Sequence, residues 1–351
     1  MAVATIDDVA KAAGVSKSTV SSVFSKKRPI SKEVTAEVLK VAKELNYRPN
    51  YWARSLVNKT TRIIGLNMRG EEKAKLNQFQ YSLLNGVLPV CYEKGYRLLI
   101  NTVSSTFKNQ VEHIASDPVD GEIILDAVIG DSRIEDCLQR DIPIVVIGRP
   151  SEEDESRVCY VDNDNVGIAA KATHYLMSLG HRRILFLNAP ANRTVAVDRG
   201  QGYLNAFEQA GLTPPREMIV HKPDGIASSV TFGCETVLAE LRANPGITAV
   251  LADTDSMALG VYQAAEQLGF SIPEQLSVLS FAYDSPLAQE FSPPLTGVRL
   301  HADQLGQESM LLLLEQLETG KRLAKRTLIP ADIVVRGSCA SPASVEPQRE
   351  E

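Results

Sequence analysis

Residues 5–24, TIDDVAKAAGVSKSTVSSVF, decide the first element of the fold. Thr5 stands before Ile6, Val9, Ala10 and Ala13, a stripe of period 3.6 behind an N-cap residue, which predicts a short helix over residues 6–13. Gly14 ends it. Ser16 can cap a second helix that turns Val20, Val23 and Phe24 inward. Ala10, Gly14 and Val20 supply a small residue where two helices touch, a glycine able to take the turn, and an apolar anchor for the second helix. This is the pattern of a helix-turn-helix, and it leaves Lys17, Ser18, Ser21 and Ser22 on the outer face.

Reading onward, SKEVTAEVLKVAKELNY predicts a third helix capped by Ser31, with Val34, Val38, Ala42 and Leu45 inside. Residues 1–62 hold twelve Lys and Arg against five Asp and Glu, a net +7, which leaves -13 for the rest of a chain totalling -6. A compact basic head on an acidic body is the footprint of a nucleic-acid-binding module. Lys26, Lys27 and Arg28 form a basic cluster just after the second helix. Pro49 stops the third helix, and Asn50 can cap about two turns through Tyr51 to Asn58. A helix that short is marginal alone, so residues 50–60 are expected to order when DNA and a partner chain support them.

From Thr61 the sequence alternates short apolar runs with amphipathic helices: RIIGLNM, RLLINTV, GEIIL and PIVVIG, then a second series beginning near Asp164. Strands separated by helices indicate right-handed βαβ units and parallel sheets. Two such series, with late crossings between residues 292 and 330, predict two α/β lobes and a ligand cleft at the carboxyl ends of their strands. The expected lobes are residues 61–162 with 296–325 and residues 163–295 with 326–340. The last segment, 341–351, is short and polar, is expected to be a disordered tail, and carries no heptads for a tail-made tetramer.

Hydrophobic residues at 44% and charged residues at 23% are those of an ordinary soluble globular protein of two or three domains. No apolar run approaches the roughly 20 residues of a membrane span. The start, MAVATIDDVAKAAG, has acidic residues where a secretory leader would be basic and then apolar, so a cytoplasmic location is expected. The five cysteines are scattered without metal-ligand spacing, so reduced thiols packed as small hydrophobes, no metal and no cofactor are expected. The sequence contains no GxSxG, HExxH or phosphate loop, and nothing in it supports an enzyme.

The head, TIDDVAKAAGVSKSTVSSVFSKKRPISKEVTAEVLKVAKELNYRPN followed by ARSL, closely resembles the LacI/GalR family of bacterial transcriptional regulators, and the likeness runs to about residue 337. The resemblance implies a small all-α helix-turn-helix head (1–49), a hinge helix (50–60) and a two-lobed body like a periplasmic binding protein (61–340). It implies a homodimer on double-stranded operator DNA, with a small effector, a sugar, between the lobes and no membrane partner. Carried over by position, Lys17, Ser18 and Ser22 read base edges, while Thr5, Ser16, Thr19 and Ser21 cap helices or touch phosphate beside Lys26, Lys27 and Arg28. Leu56 takes the place of the leucine that wedges a central base step, with Arg54 beside it for phosphate. The alternative for Leu56 is packing against the body.

In the body, NQFQYSLLNG is similar to the family's NPFF segment and places Phe79 at the first lobe's rim, either to stack on a sugar ring or as half-buried core; Gln80 stands where an aromatic is usual. Arg199 and Gly202 in VAVDRGQGYL match the family's Arg-x-x-Gly, which implies a guanidinium for neighbouring hydroxyls or a carboxylate, the alternative being a surface ion pair. Asp255 either binds ligand or caps its helix, and Asp164 is carried over with a ligand or a structural role. VLSFAYDSPLA has one residue more than the family's pattern, so the usual effector-binding carboxylate is replaced by Tyr283 or Asp284. The run PIVVIGRP to RRILFL looks most like Gram-positive maltose and oligosaccharide regulators, which points to a carbohydrate effector. A stand-alone sugar-binding protein would share this body but not the basic head.

Overall fold

A computed structural model describes residues 4–25, 28–48, 60–68, 76–101, 119–225, 228–281 and 286–342. The expected hinge helix with Arg54 and Leu56, the cations Lys26 and Lys27, the cleft candidates Tyr283 and Asp284, and the tail beyond residue 342 lie outside the described residues. Two units make up the chain, Met1–Thr61 and Arg62–Glu351.

In the head, helices α1 (Ile6–Ala12), α2 (Lys17–Ser25) and α3 (Lys32–Glu44) close around Val9, Ala10, Val20, Val23, Val38, Val41 and Ala42. Gly14 takes the turn between α1 and α2 with φ +63°, a conformation that strains any side chain. Ser31 caps α3 by accepting the Val34 amide at 3.3 Å. Phe24 and Tyr47 meet edge to face at 5.8 Å and seal the base of the core.

The body is two doubly wound lobes. The first sheet runs β11 (Arg326–Ile329), β5 (Cys159–Asn163), β4 (Ile144–Ile147), β3 (Gly121–Ile124), β1 (Ile63–Asn67), β2 (Arg97–Asn101), all parallel. The second runs β12 (Asp332–Val334), β10 (Thr296–Arg299), β9 (Ser277–Phe281), β8 (Ala249–Ala252), β6 (Ile184–Asn188), β7 (Ile219–His221), with only β12 antiparallel. Helices α4 (Gln78–Lys94), α5 (Ser132–Gln139) and α10 (Ala302–Thr319) cover the first sheet. Helices α6 (Asn165–Ser178) and α7 (Thr194–Gln209) cover one face of the second, and α8 (Ser229–Ala243) and α9 (Asp255–Leu268) the other. Strands covered on both faces need no alternation, which is why β4, β6 and β8 read as unbroken apolar runs.

The late crossings differ from the expected lobe boundaries. Residues 296–299 hydrogen-bond into the second sheet and residues 326–329 into the first, the reverse of the expected division. Both are short β-branched runs, and only their ladder partners decide where they belong. The chain crosses after β5, again between β10 and α10, and a third time between β11 and β12. Ser338 then completes the second lobe, accepting the Thr296 amide at 2.8 Å and donating to the Val278 carbonyl at 2.6 Å.

Helix α7 matters most for the cleft, and a glycine sets its distance from α6. A Cβ on Gly202 would lie 2.2 Å from the Val166 carbonyl oxygen, whereas one on Gly200 would meet nothing closer than Asn188 at 3.6 Å. Gly202→Ala is therefore expected to cost about 1–3 kcal/mol in urea unfolding as the two helices are forced apart. Gly200→Ala, which adds only helix propensity, should be neutral or stabilising. Equal effects in the two variants would show that the close approach at Gly202 is not needed.

Candidate functional site

The outer face of the head is a set of small hydroxyls around one ammonium. Ser16 accepts the Thr19 amide at 3.1 Å and shares its hydroxyl with Ser18 at 2.7 Å and Thr19 at 2.9 Å. Thr5 is the N-cap of α1, in a capping box with Asp8. Ser16, Lys17, Ser18, Ser21 and Arg28 are exposed, while Thr19 and Ser22 are half-buried. Ser22 is thus more covered than its expected role as a base reader suggests. The Lys17 ammonium lies 2.6 Å from Asp7 on α1, an exposed pair. Such pairs are worth no more than about 1 kcal/mol, so Lys17 can exchange Asp7 for a phosphate or a base edge.

Arg199 is the hub of a buried network at the carboxyl ends of the second lobe's strands. It projects from α7 and is 6% exposed, and a buried guanidinium stays charged, so its surroundings must answer that charge. Asp253, just after β8, accepts from Nη1 at 2.6 Å; Asn165, the first residue of α6, accepts from Nε at 3.0 Å. The guanidinium carbon stands 4.3 Å from the centre of the Phe281 ring at the end of β9. Three further elements of the second lobe, β8, α6 and β9, therefore converge on the one cation that α7 carries. Phe79, in the first turn of α4, packs against the cores of both lobes, so it stands between them as half-buried apolar surface.

A second network crosses from lobe to lobe. Arg149, after β4, forks onto Asp198 of α7 at 2.7 and 2.9 Å. Arg193 lies 3.6 Å from Asp126, which Gln80 also holds at 3.2 Å. Asp162, at the end of β5 where the chain first changes lobe, joins the two networks: its carboxylate accepts from the Arg149 amide at 2.9 Å and from the Asn165 side chain at 2.9 Å. Burial pushes the Asp162 carboxyl up to about 7, with nearby Asp198 adding to the rise and Arg199 opposing it. A cavity of about 70 Å³ opens among Arg149, Asp162, Asp164, Asp198 and Arg326, room for a few waters rather than a sugar ring.

Of the described candidates, Arg199 is held at the carboxyl ends of the second lobe's strands, Phe79 stands between the two cores, and Asp164 lines the cavity. Asp164 is exposed and caps α6 through the Gly167 amide at 2.9 Å. Thr254, not Asp255, caps α9, accepting the Met257 amide at 3.1 Å, and Asp255 is buried with Oδ1 on the Ser256 amide at 2.7 Å. Sequence reasoning passed over Asp253, Asn165, Phe281, Asp162 and the Arg149–Asp198 pair. Asp253 was within reach, since it sits in ADTD one residue past the end of a buried strand, where carboxyl-end side chains face a cleft.

Burial raises the thiols of Cys91, Cys137, Cys159 and Cys339 above the ordinary thiol value, which disfavours the thiolate. Among the described residues, no group of His, Cys, Asp and Glu is placed to hold a metal ion, and no helix is long and apolar enough to cross a membrane.

Comparison with known proteins gives consistent matches. Residues 5–50 match the family model for bacterial regulatory proteins of the lacI family, and residues 173–339 that for a periplasmic binding protein-like domain. The HTH-type transcriptional repressor PurR of Vibrio atlanticus is 33% identical over 327 residues, 90% of this chain and 92% of that protein. The ribose operon repressor of Escherichia coli K12 is 33% identical over 95% of this chain and 99% of its own length. Among solved structures, the lac repressor dimer bound to operator and the anti-inducer ONPF superposes with a TM-score of 0.81 at 25% identity, covering 97% of this chain and 100% of that one. The complex of the transcriptional regulator CelR with cellobiose gives 0.73 at 28% identity, covering 95% of this chain and 99% of that one.

The raised carboxyl of Asp162 gives a signed prediction. Its proton is held more tightly in the folded chain than in the unfolded one, so its contribution to stability is full below the ordinary carboxyl range and is lost as pH rises through about 7. Asp162→Asn cannot ionise. The melting temperature of the variant relative to the natural chain should therefore rise between pH 5 and pH 8; a difference that does not change with pH would contradict the raised carboxyl.

Proposed function

This chain belongs to the LacI family of bacterial regulatory proteins and is a DNA-binding transcriptional regulator, and from that premise we propose that it represses its target genes under control of a small carbohydrate held between its lobes. The observation that carries this reading is the conjunction of a capped helix-turn-helix with a buried, ion-paired Arg199 at the carboxyl ends of the second lobe's strands. A guanidinium beside an aromatic ring and a carboxylate suits a polyhydroxylated ligand, since ring faces stack on C–H surface while charged groups take paired hydroxyls. Relatives named as a ribose operon repressor and a cellobiose-bound regulator support the same class of effector. The helix-turn-helix head speaks against a stand-alone sugar-binding protein, and the family is one of regulators rather than enzymes.

In this reading α2 enters the major groove, Lys17 and Ser18 face base edges, and Ser16, Thr19, Ser21, Arg28 and the neighbouring lysines position the helix on phosphate. Serine hydroxyls accept either donor or acceptor, so direct reading by α2 is permissive. Specificity then depends on the spacing of two half-sites and on the hinge segment, where Leu56 and Arg54 keep the roles that the resemblance gives them. Two half-sites require a dimer. Exposed apolar side chains on α4 (Tyr81, Leu88, Tyr92) and on the edge strand β2 (Leu99, Ile100) offer the surface for one, with Tyr92 91% exposed. The regulator acts in the cytoplasm, where its operator lies.

A thermal-shift screen with mono-, di- and oligosaccharides identifies the effector, and anisotropy on fragments from upstream of its own gene identifies the operator. Arg199→Ala should leave operator affinity within about twofold of the natural chain and abolish the change caused by effector. An undiminished effector response would remove Arg199 from the ligand site.

A further inference from the structure

Arg149 follows β4 at Gly148, whose φ of +98° turns the chain toward the second lobe. Its backbone is fixed on both sides: the amide donates to Asp162 at 2.9 Å, and the carbonyl accepts the Thr194 hydroxyl at 2.6 Å. From that base, Nε and Nη2 meet the two oxygens of Asp198 at 2.9 and 2.7 Å, and Nη1 reaches Glu155 at 3.1 Å. Arg149 and Glu155 belong to the first lobe; Thr194 and Asp198 belong to α7 of the second. The fork therefore spans the cleft with partners supplied wholly by the chain. Two parallel bonds to a planar guanidinium fix orientation as well as distance. The side chains are 21% and 12% exposed, so salt screens the pair less than a surface ion pair.

We propose that the Arg149–Asp198 fork is a latch that closes the two lobes by itself, so that the angle between them is set by competition between the latch and whatever occupies the cleft. Asp198 and Arg199 are neighbours on α7 that point to different lobes, Asp198 to Arg149 and Arg199 to Asp253. A ligand that draws on Arg199 and turns the first turns of α7 carries Asp198 with it, and both bonds of the fork weaken together because their directions are shared. A second seam follows the same helix entrance: the Ile129 amide donates to the Asn192 carbonyl at 3.0 Å, and Val128 bridges Arg193. The fork itself is made without DNA or effector, so closure by the latch stands or falls separately from the reading of the protein as a sugar-controlled repressor, on which only the competition rests.

The seam supplies the reporter. Ile129→Cys with Asn192→Cys in the full chain places two thiols across the mouth, and their rate of disulfide formation reads closure in the absence of any ligand. With Arg149→Met or Asp198→Asn added, that rate should fall by about fivefold or more as the open population grows. The exchanged pair Arg149→Asp with Asp198→Arg should restore it, and Glu155→Gln, which alters only the first-lobe partner, should leave it unchanged. Asp198→Asn keeps the shape of the side chain, so the fold is preserved in at least one decisive variant, and a melting curve verifies it. An unchanged rate in Asp198→Asn overturns the latch. So does a rate that the exchanged pair fails to restore in a folded chain.

Discussion

A guanidinium that cannot lose its proton has been placed where water barely reaches, and the second lobe is arranged around that constraint. An unanswered charge at Arg199 would cost several kcal/mol, so a carboxylate, an amide oxygen and a ring face must all be brought to it. Asp253 comes from the end of β8, Asn165 from the start of α6, and Phe281 from the end of β9. Gly202 lets α7 lie close enough on α6 for Asn165 to reach. Asn165 is in turn held by Asp162, whose other oxygen holds the Arg149 backbone. The cation in one lobe is thus tied through two side chains, Asn165 and Asp162, to the residue that grips the same helix from the other lobe.

That arrangement makes α7 the element through which the cleft and the lobe angle communicate. Its first turns carry Thr194 and Asp198 toward the first lobe and Arg199 into the second. In the proposed mechanism, occupancy of the cleft is felt as a small rotation of this helix. The energy available is modest, about 1–3 kcal/mol of coupling in typical allosteric proteins.

The helices and caps of the head were legible from sequence, because caps, the turn glycine and the apolar stripe are local signals within a few residues of one another, although Leu45, expected inside, is 38% exposed and Val41 holds a buried place instead. Thr5, Gly14, Ser16 and Ser31 do what their positions predict. The two-lobed α/β plan was legible for the same reason, from runs of strand and helix period. The network of the cleft was not, since Arg199 and Asp253 are 54 residues apart, and Arg149 and Asp198 are 49. Nothing in local pattern pairs them. The same lack of local information reversed the lobe membership of β10 and β11, which only their ladder partners decide. Asp255 and Asp164 were carried over by resemblance with two roles open for each; Asp255 is a buried neighbour of the capping Thr254, and Asp164 is the cap of α6 and also lines the cavity.

A regulator whose effector controls its operator must show reciprocity between the two sites. The direct measurement is effector affinity, by calorimetry on the full chain, with and without saturating operator, set beside operator affinity with and without saturating effector. Both ratios are expected to be the same factor, roughly 5-fold to 150-fold. Effector affinity that is unchanged by operator, for an effector that demonstrably occupies the cleft, would contradict that reciprocity.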